Sequence, residues 1–369
     1  MENSLPVTVL VSSSESVRTH ALEQLLNGAE AARVTAIIPS GEQLRFSDRP
    51  ELSIRPTIEE ELRLGQGCGC CTVRGDLLSK IKEIAAERGA DHIVIQSAPG
   101  DDLTMLAKTF TVADSRGATL SDVAQLENMV TVVNAELVLN LTESTAARPL
   151  IEQIEFANVI LIESEPELGV DQQQRVTDTL QLLNPDANLV WASRGQLTLS
   201  HLQSEHSFDL NAAQMRSKRP VNATSDHSSE QSVRFVYHER RPFHPERLAA
   251  FLEGPLEGVL RLTGSFWVAS RPDYSAVLDL AGSDIQTSVN GKWWAGVSVH
   301  QRPKGKRFQE YIKSVWHPKF GDRRQELIVS GLGIDEIELR DQLERCLLTK
   351  EELAKPKRWA KLSHPFPWP

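Results

Sequence analysis

The chain has 369 residues, of which 40% are hydrophobic and 24% charged, and its formal net charge is −10. That length exceeds what one ordinary hydrophobic core supports and points to two domains. The acidic balance excludes general binding to nucleic acid or to an anionic membrane surface, and no apolar run reaches the length of a membrane span.

The first half alternates strand-like apolar runs with helical spacing. Residues 7–11 form a short apolar run, and 17–26 carry Ala21, Leu22, Leu25 and Leu26 at helical spacing. A strand is expected at 34–38, an amphipathic helix at 77–86 and a buried strand at 93–95. Further strands are expected at 129–133, 159–162 and 188–191, with a helix at 172–183. Strands alternating with helices imply an α/β fold, a mostly parallel sheet covered on both faces as in P-loop proteins. This first domain is expected over 1–200.

From 201 to 231 the sequence is rich in Ser, Asn, Asp and Gln without periodicity, the mark of a polar linker. A smaller α+β domain is expected over 232–350. It has strands at 233–237, 258–268, 276–280 and 326–329 and helices at 245–252, 308–315 and 336–347. The tail, 351–369, is proline-rich, and from Lys355 it is expected to run as an extended strap. The basic run 302–307 is expected to be a solvated turn, and Trp267, Trp293, Trp294 and Trp316 to be packing residues.

The sharpest chemical signal is Gly67-Cys68-Gly69-Cys70-Cys71-Thr72-Val73-Arg74. Three of the four cysteines fall within four residues and Cys346 is remote, so this is no disulfide framework. Met1-Glu2-Asn3-Ser4 opens no signal peptide, so reduced thiols in the cytoplasm are expected. Closely spaced thiolates bind zinc and other borderline metals. Cys68 and Cys70 can point the same way from an extended segment, and Gly67 and Gly69 permit the bend that Cys71 needs to join them. Three thiolates leave a fourth position open, which suits a site that passes metal on. Glu42, Glu59, Glu60 and Glu61 lie where a fourth ligand could arise, although surface charge explains most of them. Cys346 shares an apolar face with Ile337, Leu343 and Leu347 and is expected in the core.

A Gly-Cys-x-Cys-Cys-Thr-x-Arg segment leading into a helix resembles the signature of the CobW-like family of P-loop GTPases. The likeness extends to Val130-Thr131-Val132-Val133 and, in the second half, to Arg241-Pro242-Phe243-His244-Pro245, Gly264-Ser265-Phe266-Trp267 and Gly321-Asp322-Arg323-Arg324-Gln325-Glu326. The resemblance implies a GTPase-like domain, a CobW-type C-terminal domain and delivery of zinc to a client metalloprotein.

The nucleotide motifs depart from the family pattern. A working phosphate loop, Gly-x-x-x-x-Gly-Lys-Ser/Thr, uses glycines for backbone approach, Lys for the phosphates and a hydroxyl for Mg²⁺. The matching positions are Ser12, Val17, Arg18 and Thr19. Arg18 keeps the charge and Thr19 the hydroxyl, so these two are the residual nucleotide-site residues, but Val17 obstructs the cradle. The family's Glu-x-x-Gly falls on Gln96-Ser97-Ala98-Pro99. Its guanine-reading Asn-Lys-x-Asp falls on Glu163-Ser164-Glu165-Pro166. No catalytic residue is therefore assigned.

The leading expectation is a zinc-binding or other divalent-metal-binding chaperone or adaptor with impaired GTP and Mg²⁺ binding, acting on a client metalloprotein. The alternatives are a divergent metal-stimulated GTPase driving metal transfer, and a pure interaction scaffold. A homodimer is compatible with each, and neither nucleic acid nor membrane is an expected partner.

Overall fold

A computed structural model describes residues 4–29, 32–45, 50–58, 60–63, 72–98, 100–113, 117–144, 147–164, 168–192, 197–202, 207–216 and 232–368. The chain divides into two compact units, Met1–Leu139 with Pro149–Ser217, and Asn140–Arg148 with Lys218–Pro369.

The first unit begins with β1 (Leu5–Val11), α1 (Glu15–Gly28), β2 (Val34–Pro39) and β3 (Leu52–Thr57). There follow β4 (Glu61–Arg63), β5 (Thr72–Arg74), α2 (Gly75–Glu87), β6 (His92–Gln96) and α3 (Leu103–Thr111). The remainder comprises β7 (Ala124–Asn134), α4 (Ala135–Leu139), α5 (Ala147–Phe156), β8 (Val159–Glu163), α6 (Val170–Leu183), β9 (Asn188–Trp191) and α7 (Leu210–Arg216). Seven strands form one parallel sheet in the order β3-β2-β6-β1-β7-β8-β9. Its inner strands β2, β6, β1 and β8 are largely apolar because both faces are covered, whereas the edge strands β3 and β9 are only half-buried. In β1 and β6, Val7, Val9, Ile93 and Ile95 pack with Leu77, Ile81 and Phe110 on one face. Leu10 and Val94 pack with Leu22, Leu25 and Leu26 on the other. Period-2 side-chain direction produces this division, and burial on both faces removes the polar alternation of a one-sided sheet.

Part of the polar stretch 201–231 is helical. Ala213 of α7 enters the core beside α3, and the Arg216 guanidinium donates to the carbonyl of Glu155 at 2.5 Å. Leu210, Ala213 and a buried arginine hold this helix, with Phe208 packed just before it, too short a pattern for periodicity to detect.

The second unit contains β10 (Ser232–Glu239), α8 (Pro245–Glu253), β11 (Val259–Phe266), β12 (Tyr274–Ala281) and β13 (Asp284–Lys292). It continues with α9 (Lys306–Val315), β14 (Gln325–Leu332), α10 (Glu336–Cys346) and α11 (Lys350–Leu353). The sheet is antiparallel in the order β10-β14-β11-β12-β13. Gly264 has φ +148°, and a Cβ there would meet the Glu326 carbonyl oxygen at 2.0 Å, so only glycine fits this central pair. Gln325 is wholly buried: its Oε1 accepts from Trp267 N–H at 3.0 Å and its Nε2 donates to the Arg241 carbonyl at 2.7 Å. Asp322 accepts from the N–H groups of Trp294 and Ala295 at 2.9 and 2.8 Å. The Gly321–Glu326 motif is thus architectural.

Trp267 and Trp293 are core residues with Phe320. Trp316 departs from expectation: it is 39% exposed, with the Arg302 guanidinium over its ring at 5.0 Å. The tail departs as well. Past Lys355 it contains a 3₁₀ turn (Pro356–Lys361), and Trp368 is buried, stacked on Phe366 and edge-on to Phe266. Three aromatic anchors, Trp359, Phe366 and Trp368, give the tail enough apolar surface to fold onto the unit.

Candidate functional site

The phosphate-loop counterpart lies at the carboxyl ends of the strands, where α/β sheets place their ligands. Ser12 follows β1, and its Oγ accepts from the Ser14 N–H at 3.2 Å at the entry to α1. Val17 packs partly buried against the core, which is the use a β-branched residue finds inside an amphipathic helix. Arg18 points into the protein and is 0% exposed. Its Nη2 donates to Glu42 Oε1 at 3.0 Å, while Nε and Nη1 have no hydrogen-bond partner among the described residues. Thr19 Oγ1 accepts from Gln96 Nε2 at 3.2 Å. The structure therefore brings Arg18, Thr19, Glu42 and Gln96 to one end of the sheet, and the contacts among them are internal to the protein. Glu42 becomes the counterion of Arg18.

Beside Thr19 opens a cleft of about 920 Å³ that includes Glu15, Glu23 and Glu42 in its lining, against Arg45 and His20. The Arg45 N–H is itself taken by Glu23 at 2.5 Å. Glu15 and Glu23 on this rim, with Glu42 neutralised by Arg18, leave no free cation from the phosphate-loop position for a polyanion such as a nucleoside triphosphate.

Cys68, Cys70 and Cys71 lie outside the described residues, as do Glu59, Pro99, Glu165 and Pro166. The chain on either side of the thiol segment is described. β4 and β5 pair antiparallel, with Arg63 opposite Thr72 and Glu61 opposite Arg74. Arg74, the last residue of the cysteine motif, is 4% exposed and sits at the centre of a polar network. It bonds both Asp76 oxygens, through Nε at 2.9 Å and Nη2 at 2.7 Å, and reaches Asp101 through Nη1 at 3.0 Å. Asp76 also accepts from the Thr57 hydroxyl at 2.8 Å, and Asp101 from the Ala98 N–H at 2.8 Å. Burial pushes the Asp76 carboxyl up. Bonds from Arg74, Thr57 and the Glu60 N–H outweigh that and hold it below its ordinary value.

Arg74 thus ties the exit of the thiol segment to the loop after β6, where the family keeps its Glu-x-x-Gly. Sequence reasoning missed Asp76, Asp101 and the pairing of Arg18 with Glu42. Asp76 directly follows the motif's Arg-Gly, but nothing in the spacing marks Asp101 or Glu42 as partners. Cys346 meets expectation: it is buried, its Sγ donates to the Gln342 carbonyl at 3.2 Å, and burial raises its pKa to about 11. Leu343 and Leu347 are buried with it, but Ile337 is 80% exposed. Among the described residues, no group of three or more His, Cys, Asp and Glu side chains is arranged to hold a metal. Nor is any helix among them long and apolar enough to cross a membrane.

The fold and the site at its strand ends define a P-loop-type α/β domain joined to an antiparallel-sheet domain. The chain belongs to the CobW family: residues 6–190 match the CobW/HypB/UreG nucleotide-binding domain and residues 232–347 the cobalamin synthesis protein cobW C-terminal domain. It is 28% identical over 385 residues to the zinc-regulated GTPase metalloprotein activator 1 of Dictyostelium discoideum, covering 95% of this chain and 81% of that protein. It is 27% identical over 370 residues to a zinc chaperone of Mycobacterium tuberculosis, covering 94% and 86% of the two chains. Among solved structures, the Zn(II)-bound YjiA GTPase from E. coli aligns with 13% identity and a TM-score of 0.37, over 94% of this chain and 100% of that one.

Proposed function

We propose that this chain is a zinc chaperone or adaptor that carries metal on the thiolates of Cys68, Cys70 and Cys71 to a client metalloprotein in the cytoplasm. The observation that carries the reading is the thiol motif itself, entered and left through paired strands and closed by the buried Arg74. The donor chemistry suits zinc, since three thiolates satisfy three corners of its tetrahedron. The names of the two relatives, a zinc-regulated activator and a zinc chaperone, support the same cargo.

We further propose that GTP binding is weak. Arg18 is already paired with Glu42, Thr19 with Gln96, and the adjoining cleft is rimmed by carboxylates. These residues do not fit a Mg²⁺-nucleotide in the family's manner, so no hydrolytic step is assigned to them. The second reading, a divergent metal-stimulated GTPase, draws on the positive charge of Arg18 and the hydroxyl of Thr19.

Equilibrium dialysis of reduced protein against zinc, with and without Mg²⁺-GTP, tests both parts. About one zinc per chain is expected, unchanged by nucleotide. No tight zinc would sink the chaperone reading, and zinc uptake that rises with GTP alongside phosphate release would establish the GTPase instead.

A further inference from the structure

We propose that the basic face built by α9 and the turn around Trp359 is a docking surface for an acidic segment of a partner protein. The inference stands apart from the metal site and does not depend on it.

Charge is divided unevenly along this acidic chain. Residues 1–231 hold 33 Asp and Glu against 18 Lys and Arg, whereas residues 232–369 hold 17 against 22. Much of the excess lies in two stretches. Residues 302–319 carry six basic residues against the one acid Glu310, and residues 355–361 carry four with no acid. The two stretches flank one aromatic cluster. Trp267 contacts both Phe320 and Trp359, with ring centroids at 5.9 and 6.3 Å.

The arginines that build the second unit are paired. Arg241, Arg247, Arg323 and Arg340 each meet a carboxylate within 2.9 Å. The cations of the basic face differ. Lys304, Arg307, Lys313 and Lys319 are exposed and, among the described residues, none has an acidic partner at ion-pair distance. Lys306 reaches Glu310 only at 3.9 Å, and both are exposed. Solvation alone would explain a turn of this kind, but here the charge runs on from the turn into α9 through Lys306, Arg307 and Lys313, and beyond it to Lys319.

The geometry selects the class of partner. On α9, Phe308, Ile312 and Val315 form the inward face, with Phe308 edge-on to Trp294 at 4.8 Å. The outward face offers Lys306, Lys313 and Arg307, and the exposed apolar surface beside it is confined to Tyr311 and Trp316, far less than an interfacial membrane helix buries. A nucleic acid is a long polyanion whose affinity comes from many phosphate contacts, and the exposed unpaired cations here are few. A short acidic protein segment feels mainly the charges within about 8 Å at physiological salt, where this face is positive. Tyr311 and Trp316, 47% and 39% exposed, supply the aromatic contacts that protein interfaces favour.

The test is fluorescence anisotropy of the full chain with a fluorescein-labelled peptide of repeated Asp-Glu-Tyr-Gly. A single-stranded RNA and phosphatidylserine vesicles serve as comparison probes. The proposal expects saturable peptide binding that weakens strongly as salt rises from about 0.05 to about 0.5 M. The variant with Lys304, Lys306, Arg307 and Lys313 changed to Glu should lose at least about tenfold in affinity, with Tm unchanged. Should that variant melt early, the same positions changed to Gln carry the test. Lys80→Glu with Lys82→Glu, on α2, should bind as wild type. Absent peptide binding, equal affinity in the Gln variant, or tighter binding of RNA or vesicles through these residues would overturn the proposal.

Discussion

Arg18 and Glu42 form an ion pair at 3.0 Å in which the guanidinium is completely buried and the carboxylate nearly so. A desolvated pair is costly to break from one side, because the survivor is left as an uncompensated buried charge. Glu42→Ala should therefore destabilise the protein by about 3–5 kcal/mol, read as a shift of the urea midpoint. Arg18→Met combined with Glu42→Leu should recover most of that loss. Additive losses in the double variant would show that the pair is not coupled.

The Arg74 network makes a second case. Arg74, Asp76 and Asp101 are at most 6% exposed, and among the described residues Arg74 joins the two carboxylates. Arg74→Met should cost about 3–5 kcal/mol and Thr57→Val no more than about 1.5 kcal/mol, since the second removes one neutral donor. Thermal unfolding of both variants checks the ranking. Arg74→Met should also weaken zinc retention at the proposed thiol site more than Thr57→Val does.

Stability should fall on mild acidification through His92. Burial lowers its pKa from 6.5 to about 4, and its ring lies 2.9 Å from the Thr8 hydroxyl. A depressed folded-state value means that the unfolded chain takes up the proton first. The stabilising contribution is complete above pH 6.5 and is lost as pH falls from there towards about 4. The loss is up to about 3 kcal/mol. Urea titrations of wild type and His92→Gln across this range should converge at low pH; parallel curves would rule out His92 as the source.

The remote cysteine should stand apart from the other three. With its thiol raised to about 11 and buried at 4% exposure, Cys346 should resist alkylation at neutral pH until the protein unfolds. Mass spectrometry after iodoacetamide treatment reads this directly. Cys346→Ser should leave zinc stoichiometry unchanged, whereas changing Cys68, Cys70 and Cys71 to Ser should abolish it.

The sequence reveals those elements whose stability comes from apolar periodicity. β1, β6 and β8 stand out because both their faces are buried, and α2 and α10 because one face is. β13 is invisible to such a pattern: it runs Asp-Ile-Gln-Thr-Ser-Val-Asn-Gly-Lys along a sheet edge, half in water, and β12 supplies its order. β3 is hidden by the proline within it, which an edge position tolerates. In the candidate site, the thiol triplet and the altered positions 17–19 stand out because residue type alone identifies them. The pairing of Arg18 with Glu42, 24 positions apart, is long-range and charge-based, and no local pattern carries it.

The order β10-β14-β11 has a consequence for how the second unit is made. The strand at the heart of this sheet, Gln325–Leu332, is the last of the five to leave the ribosome. Until it emerges, β10 and β11 have no neighbour between them, although β11 can already pair with β12 and β13. The edge of β10 therefore stays open through residues 240–324 and that of β11 through 267–324, and long-range pairings of this kind close slowly. Vectorial synthesis thus makes this domain dependent on post-translational closure, and a ribosome stalled between residues 293 and 324 would hold an aggregation-prone nascent chain.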